Sequence, residues 1–167
     1  MAGRLRAHFS RRWPDLPHHT TKFDYITMPM TNELLAIAIQ HPQAGRLEAA
    51  ESVYKQVLVI DPQQADAYHF LGIVAFQVGN LENAIQCIRH AIALRGTDPA
   101  FYSNLGNVLQ ASGRLDDAVA CYRKTLELKP DAIGAYINMG NTLQDQGKLE
   151  QSIACYSKAL KLNPTPK

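Results

Sequence analysis

The sequence predicts an all-α fold, a solenoid of tandem helix pairs, and two periodic observations carry that prediction. The three cysteines are spaced 34 residues apart, at Cys87, Cys121 and Cys155. Glycine recurs with the same period, at Gly45, Gly79, Gly113 and Gly147. Self-similarity at a fixed period of roughly 20–50 residues is typical of repeat architectures, in which each unit packs against its neighbours along the chain.

Four copies of the unit extend over residues 31–166, which we interpret as one domain that follows a separate segment of residues 1–30. The copies are residues 31–64, 65–98, 99–132 and 133–166, and the positions of each copy are numbered from 1 to 34. Position 4 holds a large aromatic residue in the last three copies, at Tyr68, Tyr102 and Tyr136. Position 8 holds glycine in the same copies, at Gly72, Gly106 and Gly140. Position 32 holds proline in three copies, at Pro62, Pro130 and Pro164.

These residues predict the ends and the contacts of eight helices, two in each copy. The glycine at position 15 can adopt a positive φ, which ends the first helix and allows a short turn. The proline at position 32 ends the second helix. In the third copy, Asp98 is a candidate N-cap and Pro99 lies at the first helical position. The glycine at position 8 allows the two helices of a copy to approach closely.

The N-terminal part of the chain departs from this pattern. His41 and Pro42 fall in the last turn of the first helix of the first copy, where a proline distorts the helix. Residues 1–30 have no period and contain three prolines and five basic residues. We expect this segment to be a disordered tail, or an upstream extension whose natural start is Met28 or Met30.

The composition narrows the class of function. Beyond residue 30 the chain carries 12 basic and 13 acidic residues, so it has no basic field and we expect no nucleic-acid partner. No apolar run approaches the ~18 residues that a membrane helix requires, so we expect no membrane partner. The sequence contains no phosphate-binding loop and no metal-ligand motif, which predicts no enzymatic activity, no cofactor and no metal site. The cysteines are expected to be packing thiols of a cytoplasmic protein.

The recurring aromatic, glycine, small residue and proline over 34 residues resemble the tetratricopeptide repeat family. The resemblance covers 136 of the 167 residues. It implies two antiparallel helices in each repeat, stacked into a right-handed superhelix. It also implies a concave groove, lined by the first helix of each repeat, in which such proteins hold a segment of a partner protein.

The candidate binding residues lie on the first helices of the last two copies. Asn104 and Asn138 occupy position 6, and Asn107 and Asn141 occupy position 9. Residues three apart share one helix face. One interpretation is that these asparagines brace neighbouring repeats. The other is that they form a ladder of amides that donate to and accept from a peptide backbone. Flanking candidates for the same groove are Ser103, Gln110, Gln144 and Asp145.

A narrower resemblance favours the ladder. Residues 135–143, which read Ala-Tyr-Ile-Asn-Met-Gly-Asn-Thr-Leu, resemble repeats of O-linked N-acetylglucosamine transferase and of SPINDLY-type glycosyltransferases. The resemblance implies a role in binding peptide backbone for Asn104 and Asn138, whereas Ala36 and Phe70 occupy the matching positions of the first two copies. No residues of the chain match the catalytic domain of those enzymes. Our main hypothesis is therefore a non-catalytic protein-binding module, and the alternative is the substrate-recognition arm of such a transferase.

The second helix of the fourth copy predicts a further contact surface. We expect it to extend over residues 149–162, with an apolar set formed by Ile153, Tyr156, Ala159, Leu160 and Leu162. Solenoids normally end in a helix with a polar outer face, and the sequence predicts none after this copy. The outward members of the set are therefore expected to be exposed, and the chain is expected to self-associate through its C-terminal repeat.

Overall fold

The computed structural model describes residues 47–162, and this part of the chain forms seven α-helices without a strand. The helices are α1 (Leu47–Ile60), α2 (Ala65–Gln77), α3 (Leu81–Leu94), α4 (Pro99–Ala111), α5 (Leu115–Leu128), α6 (Ile133–Asp145) and α7 (Leu149–Leu162). The predicted tail of residues 1–30 and the first of the eight predicted helices lie outside the described residues. The all-α class is confirmed.

The helices stack as a solenoid of antiparallel pairs. Each helix packs against the one before it and the one after it, and the first helices of neighbouring copies also touch, α2 with α4 and α4 with α6. The first helices therefore form one row (α2, α4 and α6), and the second helices form another (α1, α3, α5 and α7). Each amphipathic helix buries its apolar side between its neighbours, because a single pair has no other surface on which to bury it.

The turn inside each pair uses the glycine that the sequence indicated. Gly79, Gly113 and Gly147 have φ values of 82°, 76° and 73°. Each turn is closed by hydrogen bonds from backbone N–H groups to the last carbonyls of the first helix, as in the 2.8 Å bond from Asn80 N to Ala75 O. This is the pattern of a helix that ends on a left-handed residue. The prediction that position 15 forms the turn is confirmed for these three copies, and Gly45 of the first copy lies outside the described residues.

The start of α4 also follows the sequence. The side chain of Asp98 accepts a 2.9 Å hydrogen bond from Ala100 N, and Pro99 occupies the first turn. Arg95 forms an ion pair with Asp66 and a second one with Asp98. These charges connect the first helix of one copy to the start of the next copy.

The core contains close contacts between a glycine and an aromatic ring. A Cβ added to Gly106 would lie 2.6 Å from Cε1 of Tyr122, and one added to Gly140 would lie 2.7 Å from Cε1 of Tyr156. The Tyr122 ring is fully buried. In these two copies glycine at position 8 is therefore required because the tyrosine at position 24 of the same copy occupies the space of a side chain.

The three cysteines are free thiols on the row of second helices. Cys155 is buried, and Cys87 and Cys121 are half-buried. Burial raises the pKa of all three thiols, and that of Cys121 to about 11. They are protonated at neutral pH and act as small packing residues.

Candidate functional site

The candidate site is the groove, by which we mean the surface of the first-helix row formed by α2, α4 and α6. It contains an open depression of about 580 Å³. The depression is lined by Phe76, Asn107, Gln110, Ala111, Asn138 and Asp145. Four of the eight predicted site residues, Asn107, Gln110, Asn138 and Asp145, thus come together from two neighbouring copies.

A hydrogen-bond network centred on Asn107 lies at this depression. Oδ1 of Asn107 accepts a 2.9 Å hydrogen bond from the hydroxyl of Tyr122 and another of 2.9 Å from Nδ2 of Asn138. Gln110 Oε1 also accepts from the Tyr122 hydroxyl, at 3.3 Å. The first bond lies within one copy, and the bond from Asn138 crosses to the next copy. This network fixes the orientation of both asparagine amides.

A second bond between copies involves a buried histidine. Asn104 Nδ2 lies 2.8 Å from Nε2 of His69, whose side chain packs against the ring of Phe101 at a centroid distance of 4.5 Å. Burial lowers the pKa of His69 to about 4, although the carboxylates of Asp98 and Asp66 act in the opposite direction. The imidazole is therefore neutral at pH 7. Because an amide nitrogen can only donate, Nε2 accepts and the proton lies on Nδ1.

Further polar contacts toward the C-terminal end of the groove involve Gln110, Asp145, Asn141 and Gln144. Gln110 Nε2 donates a 3.1 Å hydrogen bond to Oδ2 of Asp145, which connects α4 to α6. The hydroxyl of Tyr156 donates to Asn141 Oδ1 at 2.6 Å and to Gln144 Oε1 at 3.3 Å. Ser103 is half-buried on α4. The two bonds of the Tyr156 hydroxyl repeat in the fourth copy the arrangement around Tyr122 in the third.

The bracing interpretation therefore describes part of what the asparagines do. Each of the four accepts or donates at least one hydrogen bond within the repeat array. Each amide also keeps unused capacity: within residues 47–162, Nδ2 of Asn107 and Oδ1 of Asn138 make no hydrogen bond. A primary amide offers two N–H donors and an oxygen that accepts twice. The site thus presents oriented amides that can still pair with a ligand.

Tyr122, Tyr156 and His69 are parts of this site that the sequence prediction missed. A signal for the tyrosines exists in the last three copies, where positions 9, 12 and 24 change together. The third and fourth copies hold Asn, Gln and Tyr there, whereas the second holds Ile73, Phe76 and Ile88. No comparable signal marked His69, because its position holds a different residue in each of the four copies.

Family models match most of the chain. Two models described as tetratricopeptide repeat match residues 43–108 and 134–166, and a third, described as TPR repeat, matches residues 106–147. The chain belongs to the tetratricopeptide repeat family. Its fold is the scaffold on which members of the family present a protein-binding surface. No curated protein sequence matches this tetratricopeptide repeat chain.

Solved structures agree with the tetratricopeptide repeat assignment. A MamA crystal structure superposes with a TM-score of 0.74 and 27% identity, covering 84% of each chain. An O-GlcNAc transferase mutant from Thermobaculum terrenum is 31% identical with a TM-score of 0.68, over 74% of this chain and 23% of the transferase. PilF of Pseudomonas aeruginosa has a TM-score of 0.77 at 22% identity, over 84% of this chain and 64% of its own, and shows the fold alone.

Neither a metal cluster nor a membrane span is found among the described helices. Residues 47–162 contain no group of three or more His, Cys, Asp and Glu side chains placed to hold a metal ion. In the same part of the tetratricopeptide repeat array, no helix combines the length and the apolar character needed to cross a bilayer.

Proposed function

We propose that this chain is a non-catalytic, cytoplasmic interaction module that binds an extended segment of a partner protein in the groove. The observation that supports it most directly is the set of oriented amides around the depression of about 580 Å³. Asn107 and Asn138 are held in place by their bonds to Tyr122 and to each other, and they retain donors and acceptors. A peptide backbone needs both types of partner, whatever its sequence.

The spacing of the amides suits an extended chain. Asn104 and Asn138 occupy the same position of successive repeats, and neighbouring helices lie roughly 8–10 Å apart. Three residues of extended polypeptide span about 10 Å, at ~3.3 Å each. One backbone peptide group can therefore meet one asparagine per repeat. Since a hydrogen bond contributes about 0.5–1.5 kcal/mol net, the two amides of Asn104 and Asn138 alone predict weak binding.

Selection from a random peptide library tests this proposal. The full chain is immobilised and used to select from a phage-displayed library of random linear peptides, and the affinity of the selected peptides is measured by fluorescence anisotropy. The double variant Asn104→Ala/Asn138→Ala removes two amides and is expected to lose about 2 kcal/mol of binding free energy, or ~30-fold in affinity.

The matched control is Asn83→Ala, because Asn83 is an exposed asparagine on the opposite row, in α3. It should bind the selected peptides as the wild type does. Thermal melting followed by circular dichroism must show that the double variant is still folded at the assay temperature, since both asparagines also brace the repeats. Equal affinity of the folded double variant and the wild type would refute the ladder.

A second candidate is the substrate-recognition arm of a glycosyltransferase. It is supported by the 31% identity to the O-GlcNAc transferase of Thermobaculum terrenum and by the resemblance of residues 135–143 to repeats of that class. The test is the genomic sequence beside the reading frame. A glycosyltransferase reading frame that is adjacent or continuous with this one, and whose product copurifies with this chain, supports the substrate-recognition arm. An unrelated neighbour with no copurifying transferase supports the independent module.

A further inference from the structure

One repeat position changes from buried to exposed along the row of second helices. Ile85 in α3 and Val119 in α5 occupy position 21 of the second and third copies, and they are 1% and 6% exposed. Ile153 occupies the same position in α7 and is 63% exposed. In the earlier copies this side chain is covered by the next helix pair. No helix pair follows α7 within the described residues.

Two further apolar side chains extend this exposed surface. Leu149 and Leu160, on either side of Ile153, are 59% and 65% exposed. At 3.6 residues per turn the three side chains fall within one narrow sector of the helix, which we call the α7 stripe (Leu149, Ile153 and Leu160). Tyr156 and Ala159, which the sequence pattern placed in the same apolar set, are half-buried and buried against the array. Exposed apolar stripes of this kind mark contact surfaces.

Opposite charges lie beside the two ends of the stripe. Glu150 is in the first turn of α7 and Lys161 is in the last turn. The same helical geometry places both residues on one flank of the stripe, the flank that faces away from the half-buried Tyr156. Both are exposed, and the ion pairs within residues 47–162 include neither of them.

We propose that the α7 stripe is the interface of a two-fold symmetric dimer, in which α7 packs antiparallel to α7 of a second copy. Reversing the helix places Leu149 of one copy opposite Leu160 of the other. In this register Glu150 lies about 3 Å along the helix axis from Lys161 of the other copy and on the same side of the contact, so the two charges can pair twice in each dimer. A two-fold interface requires this kind of self-complementary surface. A parallel two-fold pairing would instead place the two Glu150 side chains at the same end and on opposite sides of the contact, where neither meets Lys161.

This inference is independent of the groove. The stripe lies on the second-helix row, whereas the proposed peptide site lies on α2, α4 and α6. A dimer formed through α7 therefore leaves both grooves open and presents two of them in one particle. Two linked sites increase the apparent affinity for a partner that carries two segments, because the second binding event becomes intramolecular.

Sedimentation equilibrium of the full 167-residue chain at micromolar concentrations tests the dimer. The wild type should approach twice the 18.5 kDa mass of the chain as the concentration rises. Ile153→Glu should remain monomeric, with an association constant reduced at least about 10-fold, because it places a charge in the centre of an apolar contact. Leu160→Glu is the second variant and should behave in the same way. Val59→Glu is the matched control, since Val59 in α1 is 84% exposed at the other end of the array.

Charge reversal tests the antiparallel register. Glu150→Lys and Lys161→Glu should each weaken dimerisation by about 2- to 30-fold at low salt, because each dimer contains two such pairs. The double variant Glu150→Lys/Lys161→Glu should restore it. Circular dichroism must accompany these measurements, since both charges also interact favourably with the dipole of α7. A monomer at every concentration, or a dimer that survives Ile153→Glu and Leu160→Glu, would overturn the proposal. A double variant as weak as the single ones would overturn the antiparallel arrangement.

Discussion

The replacement Gly106→Ala tests the close contact on which each helix pair is built. A Cβ at this position would lie 2.6 Å from Cε1 and 2.9 Å from Cδ1 and Cζ of Tyr122. The ring is fully buried, and its hydroxyl donates to Asn107 and Gln110. The ring must therefore move, and its movement strains the packing and weakens both hydrogen bonds.

The expected loss of stability follows from three contributions. Overpacking a buried site costs about 1–3 kcal/mol. A weakened hydrogen bond costs a further ~0.5–1.5 kcal/mol. Alanine is a better helix former than glycine by about 1 kcal/mol, which offsets part of the sum. We expect Gly106→Ala to lower the free energy of unfolding by about 1–3 kcal/mol.

The control is Gly134→Ala, because Gly134 lies in α6 and an added Cβ there meets nothing within 4 Å. This variant should gain about 0.4–1 kcal/mol. Both are measured by urea unfolding, followed by circular dichroism and by tyrosine fluorescence to check that the two probes agree. Gly106→Ala should cost less free energy of unfolding in a chain that already carries Tyr122→Leu than in the wild type, because the clashing ring is gone. If Gly106→Ala is as stable as Gly134→Ala, the steric argument is wrong.

Three further outcomes are expected. Burial lowers the pKa of His69 to about 4, so the free energy of unfolding should keep its full value above about pH 6.5 and fall by up to about 3 kcal/mol toward pH 4. Urea titrations should find this loss absent in His69→Phe. Ile85→Ala should cost about 2–5 kcal/mol and Ile153→Ala little, as urea unfolding of dilute protein would measure, since only the first leaves a cavity. Cys121, whose pKa is raised to about 11, should react slowly with a thiol reagent at pH 8 until urea unfolds the chain.

The sequence was sufficient for features that depend on neighbouring residues along the chain. Helix α7 extends over Leu149–Leu162, the range that the repeat pattern predicts, and Asp98 caps α4 as expected. Both depend on glycine, proline and capping chemistry, which act within a few residues. Turn glycines such as Gly113 belong to the same class.

The partners of the polar side chains could not be predicted in this way. Asn104 and Asn138 share a position, yet one pairs with His69 and the other with Asn107. The choice depends on which side chain the preceding repeat presents across the interface, and on its rotamer. A period in the sequence describes what the copies share, whereas these bonds depend on where the copies differ.

The nearest-neighbour packing of the helices has a consequence for how the chain assembles. Within residues 47–162, the substantial helix contacts join elements that are adjacent in sequence or separated by a single helix. No long loop has to close before native contacts form, so the entropic barrier to folding is low and structure can nucleate in any copy and spread. By the same logic, a force applied between the two ends of the described array would extend it in successive steps, one repeat after another, because no substantial contact connects distant copies there.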